Sequence, residues 1–141
     1  MADRCYLQIR LRAADLPRFA THVGAAPKEE WWDGLNEEPG GIVTAEIHEA
    51  NYSWLDERQA AAEAGIPFHG CHGEGGCYGP YAFASWDNRL FEAPLSHDGD
   101  FILVVDEDLK PLDDGEKLRA YVAAVKQVEA AFQPGEARAA A

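Results

Sequence analysis

Two histidines and two cysteines, His69, Cys71, His72 and Cys77, fall within nine residues of one glycine-rich stretch running from Phe68 to Tyr81. Imidazole nitrogen and thiolate sulfur are donors that zinc prefers, so a metal site is one reading of this cluster. His69 and Cys71 are two apart and share a face if the segment is extended, whereas Cys77 has to come back across a loop. The Cys-x5-Cys spacing is wider than the usual knuckle of about two to four residues, and no second ligand pair at standard spacing occurs elsewhere. A thiol activated by imidazole is a further reading, with Cys71–His72 or Cys77–His69 as the pair. Neighbours on a strand point to opposite faces, which makes Cys71–His72 a poor dyad, and neither local cysteine-protease signature is present. Tyr78 and Tyr81 would line a pocket in either case. The expected cofactor is none, with zinc as the alternative.

The glycines invite a phosphate reading that the sequence does not sustain. Gly73-Glu74-Gly75-Gly76 lacks a following Gly-Lys-Ser/Thr, and no lysine or arginine lies between Arg58 and Arg89. Asp106-Glu107-Asp108 and Asp113-Asp114 lack the loop spacing of an EF-hand. Five glycines in the stretch from Phe68 to Tyr81 do predict a tightly bent hairpin loop, since glycine reaches backbone angles that other residues avoid.

Charge points to a different activity. The 141-residue chain carries a formal net charge of −13, and the charge is blocked rather than dispersed. Residues 29–63 are net −9 and residues 87–116 net −8, separated by a nearly neutral middle. Such a field repels phosphate backbones and membrane surfaces and attracts basic partners. The leading expectation is a non-enzymatic acidic module that docks on a basic protein surface. A nucleic-acid-binding partner is one form of this, with the carboxylates imitating a phosphate array and inhibiting a host or phage defence protein. The partner-binding residues expected are Glu29, Glu30, Asp33, Glu37 and Glu38, then Asp106, Glu107, Asp108, Asp113 and Asp114. Trp31 and Trp32 serve as apolar anchors among the first set, since large aromatics among charges have the composition of an interface. The alternatives are the metal or thiol site above, and a structural or oligomer-forming domain whose tryptophans meet a second copy.

Three cysteines, an odd count, fit a reduced compartment better than a disulfide framework. With no apolar leader and no apolar run near 18 residues, the expectation is a cytoplasmic protein. The alanine-rich, arginine-over-lysine composition suggests a GC-rich bacterial, phage or plasmid source.

These residues need elements to hold them. Residues 4–12 alternate, with Cys5, Leu7, Ile9 and Leu11 on one face, and predict a strand. Asp15, Pro17 and Gly24 bound a short helix. Residues 25–40 read as irregular; Ile42 to Glu49 alternates again. Ser53 with Asp56 predicts a helix start, with Leu55, Gln59 and Ala62 on its inner side and Gly65 at its end. Strands are expected entering and leaving the glycine-rich loop, at Ile66–Cys71 and Pro80–Trp86, followed by a tight Asp87-Asn88 turn and a strand over Arg89–Ala93. Phe101 to Val105 is an apolar run of central-strand type. Leu118, Tyr121, Val122, Val125, Val128 and Phe132 recur at helical spacing, capped by Asp113 and ended by Pro134-Gly135. The predicted fold is α+β: one domain over residues 1–135, with a mixed or mainly antiparallel sheet of five or six strands, two or three helices on one face, and a flexible tail over 136–141.

Overall fold

The computed structural model describes residues 4–24, 34–113 and 115–133. Six strands form one antiparallel sheet: β1 (Arg4–Arg12), β2 (Gly34–Glu38), β3 (Ile42–Asn51), β4 (Phe68–His72), β5 (Tyr81–Trp86) and β6 (Arg89–Pro94), in the order β2-β3-β1-β4-β5-β6. Three helices accompany it: α1 (Leu16–Val23), α2 (Leu55–Glu63) and α3 (Glu116–Phe132). The α+β class and antiparallel sheet are those expected. Among the described residues no helix is long and apolar enough to cross a membrane.

Alternation in β1 puts Leu7, Ile9 and Leu11 into the core at zero exposure, against Val43, Ala45 and Ile47 of β3. Phe68 and Phe83 join them from β4 and β5, and Phe19, Ala20, Ala61 and Ala62 close the layer from α1 and α2. Each fully buried large apolar side chain here contributes roughly 1.5–3 kcal/mol. The opposite face of the sheet is also covered. Ala82 and Ala84 of β5 are small enough for Tyr121 and Ala124 of α3 to pack directly on them, and Val128 and Phe132 continue that contact onto Ile42. The expected single helical layer is therefore divided, with α1 and α2 on one face and α3 on the other. β5 permits this because it is apolar in both parities.

Gly34–Glu38, expected to be irregular, is an edge strand paired with Ile42–Glu46. Its sequence carries no alternation because its last three residues are exposed. The chain reverses at Pro39-Gly40-Gly41, where both glycines take positive φ, 93° and 77°.

In α2 the buried residues are Arg58, Ala61 and Ala62, while Leu55 and Gln59 are exposed, so the helix is rotated from the expected face. Its entry is not a side-chain cap at Ser53. Tyr52, Ser53 and Trp54 instead take three consecutive left-handed conformations, with φ of 51°, 53° and 53°. Asp15 likewise precedes α1 without a side-chain cap bond; its carboxylate is held by Arg12 Nε at 2.8 Å and Arg18 Nη1 at 3.6 Å.

Phe101–Val105 is not a strand. Isolated bridges, Leu95 with Phe101 and Val105 with Pro111, stand in place of a ladder, and the Phe101 ring packs against Tyr121 with centroids 5.5 Å apart. All five residues are exposed, against the expectation of a central strand.

Candidate functional site

The glycine-rich hairpin spreads its donors apart. His69 and Cys71 share the β4 face that meets α3, as their spacing predicts, whereas His72 turns to the opposite face and Cys77 is exposed in the loop. His69 Nε2 lies 2.6 Å from Glu129 Oε1, and its ring stacks on Phe132. Glu129 also accepts from Arg10 Nε at 2.8 Å. Partial burial opposes ionisation of Glu129, but hydrogen bonds from Arg10 and His69 outweigh it and hold the carboxyl below its usual range. Burial pushes the Cys71 thiol up, away from the thiolate, and the thiol donates to Gln8 Oε1 at 3.8 Å. Among the described residues no three His, Cys, Asp or Glu side chains converge in a metal-holding group.

None of the five glycines of this segment takes a positive φ. Gly70 has a different function: a Cβ there would collide with the backbone carbonyl of Gln8 on β1. Glycine is needed in mid-strand for close approach, not for turning the loop.

His72 is buried in an aromatic enclosure. Its ring centroid lies 5.6 Å from Tyr78, 5.8 Å from Tyr81 and 6.4 Å from Phe83, and Nδ1–H donates to the Gly73 carbonyl at 2.7 Å. Burial, reinforced by the Arg58 charge, lowers its pKa against the opposing pull of that carbonyl. The ring is thus neutral at pH 7 with its proton on Nδ1.

Arg58 is fully buried beside it. Nε donates to the Ser53 carbonyl at 2.9 Å and Nη2 to Ser53 Oγ at 3.0 Å, and the guanidinium lies 4.1 Å from the centre of the Phe83 ring. These contacts fix the left-handed Tyr52–Trp54 corner. Glu92 Oε2 stands 3.9 Å from Nη1, which has no hydrogen-bond partner. Burial lowers the Arg58 pKa to about 10, with Glu92 opposing, and the side chain remains a cation at neutral pH.

Tyr52, Arg58, His72, Tyr78 and Tyr81 line a groove of about 1340 Å³ that also takes in Arg89–Glu92 and Pro94 of β6. Ile102, Leu103 and Val104 line it as well. They belong to an arm, residues 95–113, that leaves β6 through a turn in which Ser96 N–H donates to the Asp100 carbonyl at 2.8 Å. The arm then folds on itself, with Leu112 N–H donating to Val104 O at 3.0 Å and Asp106 N–H to Lys110 O at 2.9 Å. Phe101 to Val105 are each between 43% and 48% exposed, Leu112 is 64% exposed and Leu109 79%. A contiguous exposed apolar run of this kind marks an interaction surface more often than a free surface.

The acidic residues expected to bind a partner are divided between two places. Glu29, Glu30, Trp31, Trp32, Asp33 and Asp114 lie outside the described residues. Glu37 is exposed on β2, and Glu38 pairs with Arg10, which also holds Glu129. Asp106 Oδ1 accepts from Asp108 N–H at 2.9 Å and Lys110 N–H at 3.0 Å, forming the tip of the arm with Glu107 and Asp108 exposed. Asp113 does cap α3, accepting from Gly115 N–H at 2.9 Å and Lys117 N–H at 3.3 Å. Asp113 thus sits at the start of α3 and Glu38 near its end, about 20 Å along the helix axis. Asp98 and Asp100 are also exposed on the arm, so its apolar run is bordered by carboxylates at both ends.

Sequence reasoning missed Arg58 and the arm. An arginine between Glu57 and Gln59 on a helix reads as solvent-facing, and nothing local marks it as buried. The arm did give a signal, since five consecutive apolar residues are conspicuous, but a buried strand and an exposed one have the same composition. No family model matches the chain, and no curated protein or solved structure matches it significantly.

Proposed function

We propose that this protein is a non-enzymatic binding module that docks on a partner protein through the arm, its apolar run seating on an apolar patch and its carboxylates facing basic residues around that patch. The observation that carries this reading is the exposed run Phe101–Val105, set between Asp98 and Asp100 on one side and Asp106, Glu107 and Asp108 on the other. Apolar burial would supply the affinity, and the net charge of −13 would speed encounter with a positive surface. A second copy of the chain is disfavoured as the partner, because it would bring the same carboxylates to the contact. The separation of Glu38 from Asp113 favours a partner with a local basic ring over one shaped for a continuous phosphate rail. His69, Cys71 and His72 of the glycine-rich hairpin are occupied in packing and hydrogen bonds, which supports binding over nucleophilic chemistry at those three groups.

The test is affinity capture from a lysate of the source organism, comparing the wild-type chain with a Leu103→Asp, Val104→Asp double variant. A partner retained by the wild type, lost with the variant, and released at roughly 0.5 M salt, where the screening length falls to about 4 Å, is the expected result. Equal retention by both proteins refutes docking through the arm. A concentration-dependent dimer in sedimentation that the double variant abolishes would assign the arm to self-association instead.

A further inference from the structure

We infer that the groove beside β6 accepts an extended segment of the partner as a seventh strand, and that this segment alternates basic and apolar residues. This deepens the docking reading and rests on it. Backbone direction in β6 is fixed by two hydrogen bonds. Leu95 N–H donates inward to Pro80 O at 2.9 Å, and Pro94 O accepts outward from Ile102 N–H at 3.3 Å. Peptide groups along an antiparallel strand alternate in direction, so Leu90 and Glu92 share the outward direction of Pro94. Among the described residues no backbone hydrogen bond reaches the outward N–H and C=O groups of Leu90 and Glu92.

The arm does not fill that edge. After Ile102 its peptide groups turn to its own returning limb, through Leu112 N–H to Val104 O, and the groove opens between Leu103 and the edge of β6. The two edges of the sheet also differ. β2 presents Asn36, Glu37 and Glu38 and is followed by Pro39, a composition that discourages strand addition. β6 presents Leu90 and Phe91 at its middle. An incoming strand would take up to four main-chain hydrogen bonds from Leu90 and Glu92, and its alternate side chains would meet the two sides of the groove. Those sides carry Asp56 and Glu57 from α2, Glu92 from β6, and Asp113 and Glu116 from the start of α3. Arg89, Lys117 and the buried Arg58, whose Nε and Nη2 are held by Ser53, offset these five carboxylates in part. The balance favours lysine or arginine on the incoming strand, with apolar residues between.

The probe is an acetylated, amidated peptide of about eight residues alternating valine and lysine, tested on the full chain by amide hydrogen exchange read at Leu90 and Glu92. Saturating peptide is expected to slow both amides by at least about tenfold. A version N-methylated at alternate residues, which cannot complete the ladder, should give no protection; because this change is on the peptide, the protein's folding is not at issue. A block peptide of the same composition, four valines then four lysines, should protect less. Binding that is salt-dependent and protects the arm but not Leu90 and Glu92 refutes strand addition while leaving docking intact. No binding that the Leu103→Asp, Val104→Asp variant alters counts against both. Leu90 and Glu92 amides already protected in the protein alone would show the edge to be covered by the chain itself, and would also overturn the inference.

Discussion

Replacing Arg58 by alanine tests whether a buried cation holds the groove wall in shape. The guanidinium makes two charge-assisted hydrogen bonds to Ser53, at 2.9 and 3.0 Å, and stacks on Phe83 at 4.1 Å. Truncation leaves the Ser53 carbonyl and hydroxyl without that donor, each at a cost of about 1–3 kcal/mol, and removes a desolvated cation–π contact of about 2 kcal/mol. Against this stands relief of the desolvation that pushes the Arg58 pKa down to about 10. A net loss of about 3 kcal/mol is expected, within the range for breaking a buried ionic contact and a large part of the roughly 5–15 kcal/mol available to a domain. The assay is urea unfolding followed by tryptophan fluorescence, with Trp54 in the affected corner as a native reporter. Arg58→Met, which restores packing without donors, should fall between wild type and alanine. Glu92→Gln should cost less than about 1 kcal/mol, because Glu92 stands 3.9 Å away and is one-third exposed. An alanine variant within about 1 kcal/mol of wild type would refute the claim that Arg58 secures the left-handed corner.

Gly70→Ala should cost more than about 3 kcal/mol or prevent soluble expression, since the added methyl meets the Gln8 backbone; Gly73→Ala, whose methyl finds only ordinary contacts with Tyr6, should be nearly neutral in the same unfolding assay. His72 has a folded pKa below its unfolded value, so the unfolded chain takes up the proton first and stability falls as pH drops below about 6.5. Denaturant midpoints measured from pH 7.5 to 5 should show this slope, and His72→Phe should flatten it. Among the thiols, Cys77 should react with a disulfide reagent at the rate of an exposed cysteine, Cys71 far more slowly because burial raises its pKa, and buried Cys5 only on unfolding. Mass spectrometry of the labelled chain separates the three.

What the sequence made legible follows from how much of each pattern is local. β1 and β3 alternate because one face of each is buried along its whole length, and the alternation alone identifies them. β2 is held mainly by its ladder to β3, so its sequence, Gly-Leu-Asn-Glu-Glu, has no reason to alternate. α2 buries Arg58, Ala61 and Ala62, which do share a helical face, but an arginine does not read as part of an apolar face until Ser53 and Phe83 are there to receive it. The glycine-rich hairpin lies between two strands, as its flanking apolar segments predict, and His69 and Cys71 share a face. Its most constrained glycine, Gly70, answers to the passing strand β1 and not to its own loop, a demand that local composition does not carry. Phe101–Val105 has the composition of a strand and lies beside an edge that could hold one, yet the arm folds back on itself. Composition reports what a segment can bury, not which surface it finds.

The position of β1 in the sheet has a consequence for how the chain assembles. β1 is central, with β3 on one side and β4 on the other, although it precedes both in the chain. Its second ladder, from Leu7 with His72 to Leu11 with Phe68, closes a loop of more than fifty residues, the most non-local pairing in the sheet, so the middle of the sheet is expected to pair after the local hairpins. Until then β1 is an unshielded run of alternating apolar residues. Loss of the Leu7–Leu11 stretch of β1 would remove both central ladders and leave the β2-β3 hairpin joined to the β4-β5-β6 meander only through helix packing, chiefly α3 on Ile42 and on Ala82 and Ala84.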